Sequence, residues 1–171
     1  MMLDSKKSAT RAVQEGEDDA HDLLGTIFQT HTGEHVALDD ASPTATRFDE
    51  LLADRATGQV HPIDARLLDA LRALARLHLG ARIEIVSGYR SEKLNETLRK
   101  KGHHVATHSQ HTLGHAVDFR VVTELGAIDP LEIERELREA LHWDGGVGVY
   151  LSEGDRFNHV DVGPNRRWNG M

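Results

Sequence analysis

The chain has 171 residues, of which 39% are hydrophobic and 28% are charged, and this composition is typical of one globular domain. Its formal charge of −8 disfavours broad binding to a nucleic-acid backbone, and no run approaches the ~18 apolar residues of a membrane span. The absence of cysteine excludes disulfides and thiolate metal sites, so any transition metal must be held by imidazole and carboxylate groups.

Residues 1–22 are polar and mixed in charge, which predicts a disordered tail before a domain that spans residues 23–171. This tail lacks the apolar stretch of a standard signal peptide. If the protein works outside the cytoplasm, export by another route and removal of a leader both stay open.

The domain begins with a predicted hairpin and a short helix. TIFQTHTGEHVAL alternates in polarity around a Thr-Gly turn, as a small hairpin does. Its His31, Glu34 and His35 are therefore interpreted as structural residues of the hairpin. ATRFDELLADRATG then predicts a helix that Gly58 closes.

The clearest helix lies in IDARLLDALRALARLHLG. Asp64 is a candidate cap, leucines recur at helical spacing, and Gly80 ends the pattern. His78 lies at the end of this helix and is interpreted as a helix-end residue rather than a ligand.

The middle of the chain alternates between strand and helix. RIEIV (82–86) predicts a strand, SGYR a turn, and the segment after Ser91 a capped helix. HAVDFRVV predicts a further strand, in which three apolar residues face one side while Asp118 and Arg120 face the other.

The last segments predict one helix and two strands. DPLEIERELREALH has Asp129 as its cap and a proline in its first turn. Strands follow at residues 147–151 and 157–163, and their short connection predicts antiparallel pairing. In the second strand, His159 and Asp161 alternate with two valines. The mixture predicts a single-domain α+β fold around a central antiparallel sheet.

Two of the predicted strands favour a shared functional face. If they are neighbours in the sheet, Asp118 and His159 lie within reach of one ion, and His111 can fold back from the loop before Gly114 as a third ligand. Two histidines and one carboxylate leave zinc an open position for water, which is the arrangement of a hydrolytic centre.

Four ordered segments resemble a known superfamily. SQHTLGHAVD matches the pattern S-x-H-x-x-G-x-A-x-D of the zinc D,D-peptidases, which include D-alanyl-D-alanine carboxypeptidases, vancomycin-resistance dipeptidases, some phage endolysins and the hedgehog domain. TGQVHPIDARLLDALRAL, SGYRSEKLN and GGVGVYLSEGDRFNHVDVGPNRRW resemble its bacterial YcbK-like branch. The resemblance spans about residues 26–168 and implies a hedgehog/D,D-peptidase-type fold with helices packed on one side of the sheet.

The resemblance also implies roles for individual residues. His111, Asp118 and His159 correspond to the zinc ligands. Ser109 corresponds to the serine that supports the ligand loop and is predicted to bind substrate. Arg90 corresponds to the arginine that faces the zinc, where it can hold a peptide carboxylate or stabilise the oxyanion.

Each of these roles has a structural alternative. Ser109 and Gly114 also fit ordinary turn chemistry, and Arg90 can form a surface salt bridge with Glu92. Trp168 of the R-x-W ending is expected to pack over the sheet with a stacked arginine.

The general base departs from the pattern of the family. Several relatives have a glutamate three residues before the last histidine or a histidine two before it, and here these positions are occupied by Arg156 and Phe157. Asp161 is the leading candidate because it shares a strand face with His159, and its alternative role is to orient His159 or bind Arg90. Glu153 and Asp155 are the other candidates. The remaining loop histidines are expected at the rim (His103, His104, His108 and His115).

These observations predict a zinc-dependent (Zn²⁺) metallopeptidase that uses a metal-activated water on D-alanine-containing peptidoglycan stem peptides. Carboxypeptidase and endopeptidase action, and D,D and L,D bonds, all stay open. The alternatives are a zinc-bearing binding module without turnover and a purely structural metal site. The expected location is the periplasm or cell envelope, and the oligomeric state is open.

Overall fold

The computed structural model describes residues 22–102 and 109–170, so the predicted tail lies almost wholly outside the described residues. The described part forms one α+β domain around a single mixed sheet, which confirms the predicted fold class. The strands are β1 (Gly25–Gln29), β2 (Glu34–Leu38), β3 (Ala81–Ser87), β4 (Ala116–Thr123), β5 (Gly126–Ala127), β6 (Gly146–Ser152), β7 (Asp155–Asp161) and β8 (Arg166–Gly170).

The described residues contain four α-helices, and three of them begin at the predicted caps. They are α1 (Ala45–Leu51), α2 (Ala65–Leu77), α3 (Glu92–Lys100) and α4 (Pro130–Arg135), which continues into a π-helical turn over Glu136–Ala140. Asp64, Ser91 and Asp129 each accept a hydrogen bond from a backbone N–H of the first turn. Within residues 22–102 and 109–170, no helix combines the length and the apolar character needed to span a membrane.

The sheet order is β2-β1-β3-β4-β7-β6-β8, with β5 at the end of β4. The predicted hairpin β1–β2 and the antiparallel pair β6–β7 are both present. Two neighbouring pairs, β1–β3 and β6–β8, are parallel. The parallel pairing of β1 with β3 requires the long connection that contains α1 and α2. The parallel pairing of β6 with β8 arises because β8 runs antiparallel to β7 and lies on the other side of β6.

One face of the sheet carries the hydrophobic core. Strand residues such as Ile83, Phe119 and Val160 pack in the same cluster as residues of α1, α2 and α4. The opposite face carries the alternate residues of the same strands, among them Asp118 and His159. The candidate site therefore lies on the sheet face that faces away from this core.

Helix α1 ends earlier than the sequence pattern predicts, because a separate turn follows it. Asp54 is 1% exposed, and its carboxylate accepts hydrogen bonds from the backbone N–H groups of Ala56 (2.7 Å) and Thr57 (2.9 Å). It also accepts one from the N–H of Ser91 at 2.6 Å. Gly58 has a φ of +70° at the end of this turn. The carboxylate therefore ties the end of α1 to the start of α3.

Replacing Asp54 with alanine is expected to lower the free energy of unfolding by about 2–3 kcal/mol at pH 7, because three backbone donors lose a charged acceptor. Although burial opposes ionisation, the hydrogen bonds from Ser91, Ala56 and Thr57 lower the pKa of Asp54. This stabilisation is present above the unfolded-state pKa of about 4 and is lost as pH falls through the folded-state pKa. Urea unfolding at pH 7 and pH 3 measures both effects.

The matched control is Asp69→Ala, which removes an exposed carboxylate on α2 and is expected to change stability by less than about 0.5 kcal/mol. Equal losses for the two variants, or a loss for Asp54→Ala that is the same at both pH values, would contradict the role assigned to Asp54.

Candidate metal centre

The pairing of β4 with β7 brings together two of the predicted ligands. Asp118 lies directly opposite His159 in this antiparallel ladder, so their side chains share one face of the sheet. Asp118 is 3% exposed and His159 is 7% exposed. Nδ1 of His159 lies 2.7 Å from Oδ1 of Asp118.

The third predicted ligand comes from the loop before β4. A short 3-10 turn spans Gln110–Leu113, and the Ser109 hydroxyl accepts from the backbone N–H of His111 at its start. Gly114 ends the turn with a φ of +71°, and a side chain there would collide with the carbonyl oxygen of Pro62. The turn directs the His111 ring towards the two strand residues. Ser109 thus supports the ligand loop, while substrate binding by Ser109 stays a prediction.

The three side chains converge on one point. Nε2 of His111 lies 3.1 Å from Oδ1 of Asp118 and 3.2 Å from Nδ1 of His159. Within the described residues, these three form the one group of imidazole and carboxylate side chains whose geometry could hold a metal ion.

The outer nitrogens of both rings are already engaged. Nδ1 of His111 donates to the carbonyl oxygen of Gly88 at 2.7 Å, and Nε2 of His159 donates to Oδ2 of Asp161 at 2.9 Å. The carbonyl can only accept, so the inner Nε2 of His111 presents a lone pair to the centre. Nδ1 of His159 lies 2.7 Å from Oδ1 of Asp118, so the lone pairs of these two atoms repel unless a proton on Nδ1 or a cation between the three side chains lies between them.

The electrostatics separate the two rings. Burial and the neighbouring charge of Arg90 lower the pKa of His111 to about 4, which keeps this ring neutral. Burial also opposes protonation of His159, but hydrogen bonds to Asp118 and Asp161 outweigh it and raise the pKa of this ring. Burial disfavours the ionised form of Asp118, yet the charge of Arg90 and the hydrogen bond from His159 hold its pKa well below the usual range.

Arg90 reaches the centre rather than the surface. Its guanidinium donates to Oδ2 of Asp118 at 2.6 Å and to the hydroxyl of Ser87 at 2.9 Å. Its side chain is 14% exposed, so the pair is largely shielded from water. The predicted alternative partner Glu92 lies in the first turn of α3, where Ser91 is the cap. The sequence located Arg90 next to the site, but not its contact with Asp118.

Asp161 lies on the far side of the His159 ring. Its Oδ2 accepts from His159 and from Arg166 (2.8 Å), and its Oδ1 accepts from the N–H of Gly163 (2.8 Å). It is 0% exposed. Because it contacts the nitrogen that faces away from Asp118, this geometry favours the orienting role over proton exchange at the centre.

The other acidic candidates lie at the opposite end of β7. Asp155 pairs with Ser152 at the hairpin turn, four residues from His159, which corresponds to about 13 Å along a strand. Glu153 is exposed in the same turn. At the positions where relatives have a base, Arg156 bonds Asp129 on the surface and Phe157 stacks on a tyrosine.

The other predicted histidines lie elsewhere. His31 contacts the carbonyl oxygen of Val86, His35 packs on Phe28, and the ring of His78 contacts Glu136. His103, His104 and His108 fall outside the described residues.

Two glycines of β6 allow side chains of the C-terminal strand β8 to reach the site. The sequence analysis did not identify these glycines. Gly146 lies between Asp161 and Arg166, and Gly148 lies between His159 and Trp168 in the same register. A Cβ at Gly148 would lie 2.6 Å from the indole. The alternation of glycine with valine in GGVGVY is the sequence signal that could have identified them. As predicted, the Arg166 guanidinium lies over the Trp168 ring, 5.1 Å from its centroid.

The fold and this His-Asp-His cluster define a protein of the zinc D,D-peptidase type, and sequence comparison agrees. The chain matches the family Peptidase_M15_2, described as peptidoglycan L,D-endopeptidase MepK, over residues 26–168. The chain belongs to this family, which confirms the superfamily resemblance seen in the sequence.

Named relatives are similar over most of their length. The probable peptidoglycan L,D-endopeptidase MepK of Haemophilus influenzae is 36% identical over 144 residues, covering 82% of this chain and 73% of that protein. The peptidoglycan L,D-endopeptidase MepK of Escherichia coli K12 is 32% identical over 152 residues, covering 84% and 78%. No solved structure matches significantly.

In the metal-free protein, the two central rings are expected to titrate separately. His111 should stay neutral down to about pH 5, because burial and Arg90 lower its pKa to about 4. His159 should stay protonated above pH 6.5, since Asp118 and Asp161 raise its pKa. Long-range ¹H–¹⁵N spectra of the imidazoles, recorded from pH 4 to pH 9, measure both. Both rings titrating together near pH 6.5 would refute this arrangement.

Proposed function

We propose that this protein is a zinc-dependent peptidase that cleaves peptidoglycan stem peptides at an L,D bond within the peptide. The observation that carries the proposal is the convergence of His111, Asp118 and His159 at 2.7–3.2 Å on one face of the sheet. The relatives from Haemophilus influenzae and Escherichia coli are named as peptidoglycan L,D-endopeptidases, which supports an endopeptidase rather than a carboxypeptidase. Such a substrate implies action in the periplasm or cell envelope.

The donor set fits zinc. Tetrahedral zinc with bonds of about 2.0–2.1 Å separates its ligand atoms by about 3.3 Å, close to the separations found here. Both imidazoles present an unprotonated nitrogen to the centre once a cation replaces the proton of His159, and both have a hydrogen-bonded outer nitrogen. When bound, zinc supplies Lewis acidity to the scissile carbonyl group and to the attacking water.

Arg90 is proposed to stabilise negative charge beside the scissile bond. Its guanidinium already touches the ligand carboxylate, so its remaining donor surface lies next to the substrate position. A guanidinium stays charged throughout the reaction and needs no reorganisation as the oxyanion develops. Its hydrogen bond to the Ser87 hydroxyl fixes the orientation of the guanidinium.

Asp161 is proposed to orient His159 rather than to act as the base. It binds the outer nitrogen of the ring, and Arg166 and the N–H of Gly163 occupy its remaining acceptor positions. Holding this nitrogen keeps Nδ1 directed at the ion, and the negative charge makes the ring a stronger ligand.

A second candidate is a zinc-bearing binding module without turnover. The observation that favours it is the replacement of the family's base positions by Arg156 and Phe157, neither of which can accept a proton. This candidate shares the metal centre and the substrate, and differs only in whether peptide bonds are cut.

Asp118→Ala is expected to abolish both zinc binding and cleavage, because it removes the carboxylate that joins the two imidazoles. The measurement is digestion of purified peptidoglycan followed by chromatography of the muropeptides, with zinc content determined by mass spectrometry. Asp69→Ala, on the exposed side of α2, is the matched control and is expected to behave as wild type.

Each result separates the two candidates. New muropeptides from wild type and from Asp69→Ala, but not from Asp118→Ala, support the peptidase. Stoichiometric zinc with unchanged muropeptides leaves only the binding module. Wild-type protein that binds no zinc contradicts both.

Asp161→Asn is expected to weaken zinc binding by about 10–100-fold while leaving the fold intact, because an amide keeps the shape but loses the charge that supports His159. Competition with a chromophoric chelator measures the affinity. Asp144→Asn removes an exposed carboxylate elsewhere and should leave the affinity unchanged. An unchanged affinity in Asp161→Asn would exclude the orienting role.

A further inference from the structure

One row of residues crosses the sheet through the metal centre. Ser87, Asp118, His159, Gly148 and Trp168 lie opposite one another on β3, β4, β7, β6 and β8. Residues paired in this way share one face of the sheet. Gly148 contributes no side chain, so the Trp168 indole extends over it towards the ligand ring, and the centroids of Trp168 and His159 lie 5.1 Å apart.

Two more aromatic rings continue the surface beside Trp168. Tyr150 and Phe157 pair in the next row and stack at 4.3 Å with an interplanar angle of 10°. The indole N–H of Trp168 donates to the hydroxyl of Tyr150 at 3.3 Å. We call these three residues the aromatic shelf. Trp168 and Tyr150 are half-buried, whereas Phe157 is buried.

The indole is held in place by contacts at one face and at one edge. Arg166 lies over the ring, 5.1 Å from its centroid, and donates to Asp161 at 2.8 Å. Together with the bond to Tyr150, this contact leaves the indole little freedom to turn. The shelf is therefore a preformed surface, which is the property that a specificity pocket needs.

The two sides of the metal centre differ in chemistry. Towards β3, the nearest groups are the guanidinium of Arg90 and the hydroxyl of Ser87. Towards β8, the indole of Trp168 lies beside the His159 ring, and the guanidinium of Arg166 lies over the indole. A peptide bound across the centre thus has polar groups on one flank and an aromatic surface on the other.

We propose that the aromatic shelf is the subsite for the aliphatic side chain of the residue directly attached to the scissile bond. An extended peptide advances about 3.3 Å per residue, so only this residue can reach a ring that lies against a metal ligand. Alkyl groups pack on indole faces through burial of apolar surface. The inference rests on the proposed function and adds its side-chain specificity.

The test compares pairs of synthetic peptides that carry either alanine or norleucine on one side of the L,D bond, with each side examined in turn. Wild type is expected to prefer norleucine about tenfold in kcat/KM on one of the two sides, mainly through KM. Trp168→Ala is expected to lose this preference, and Trp168→Phe to retain part of it. Trp143→Phe is the control, because this second tryptophan lies at the edge of the core.

A purely supporting role for Trp168 gives a different result. If Trp168 only holds His159, Trp168→Ala lowers kcat equally for both peptides of a pair and weakens zinc binding, while the preference for norleucine persists. That outcome overturns the proposal. Absence of a preference in wild type on either side also overturns it.

A binding measurement separates this proposal from the proposed function. Trp143→Phe leaves Trp168 as the one tryptophan in the chain, so its fluorescence reports on the shelf. If the wild-type protein cuts none of the peptides, the proposed peptidase function is wrong. The proposed role of the aromatic shelf is still supported if the norleucine peptide gives a saturable change in Trp168 fluorescence at about tenfold lower concentration than the alanine peptide. The proposed role of the shelf is wrong if the two peptides give the same titration curve.

Discussion

The register between β4 and β7 is the constraint on which the rest of the molecule depends. It places Asp118 directly opposite His159 while Val117 and Phe119 enter the core. A shift of one residue would turn the carboxylate into the core and expose the apolar side chains, because side chains alternate with period two. The core and the candidate metal centre are therefore consequences of the same pairing, and burial of apolar surface stabilises the geometry of the three candidate ligands.

The segment SGYRS joins this centre to the rest of the fold. The carbonyl oxygen of Gly88 accepts from His111, Arg90 donates to Asp118, and the N–H of Ser91 donates to Asp54. One short turn thus orients a ligand and supplies the cation beside it. Because Asp54 anchors the turn to the end of α1, a contact remote from the chemistry contributes to the position of both groups.

The centre is a buried polar network whose stability depends on charge balance. Asp118 and Asp161 lie almost wholly out of water, with Arg90 and Arg166 as their cationic partners. Such a network costs desolvation free energy unless each member is paired. A divalent cation between the three candidate ligands would add positive charge beside these carboxylates, and the family to which the chain belongs is generally zinc-dependent. The aromatic shelf adds an apolar boundary on one side and leaves the polar side to Arg90.

Local sequence patterns were sufficient for the elements and for the side-chain faces. Alternation directed Asp118 and His159 away from the core, capping residues such as Asp64 marked the helix starts, and Gly114 marked the ligand turn. Motif resemblance added the family and supported the three ligand candidates that alternation had indicated. Contacts between distant segments could not be predicted from local patterns, because neither hydrophobic periodicity nor secondary-structure propensity specifies which strands become neighbours. The parallel β6–β8 pair and the Arg90–Asp118 contact both arise from such pairings. They required the folded sheet, in which Gly146 and Gly148 leave room for side chains from its edge strand to reach the centre.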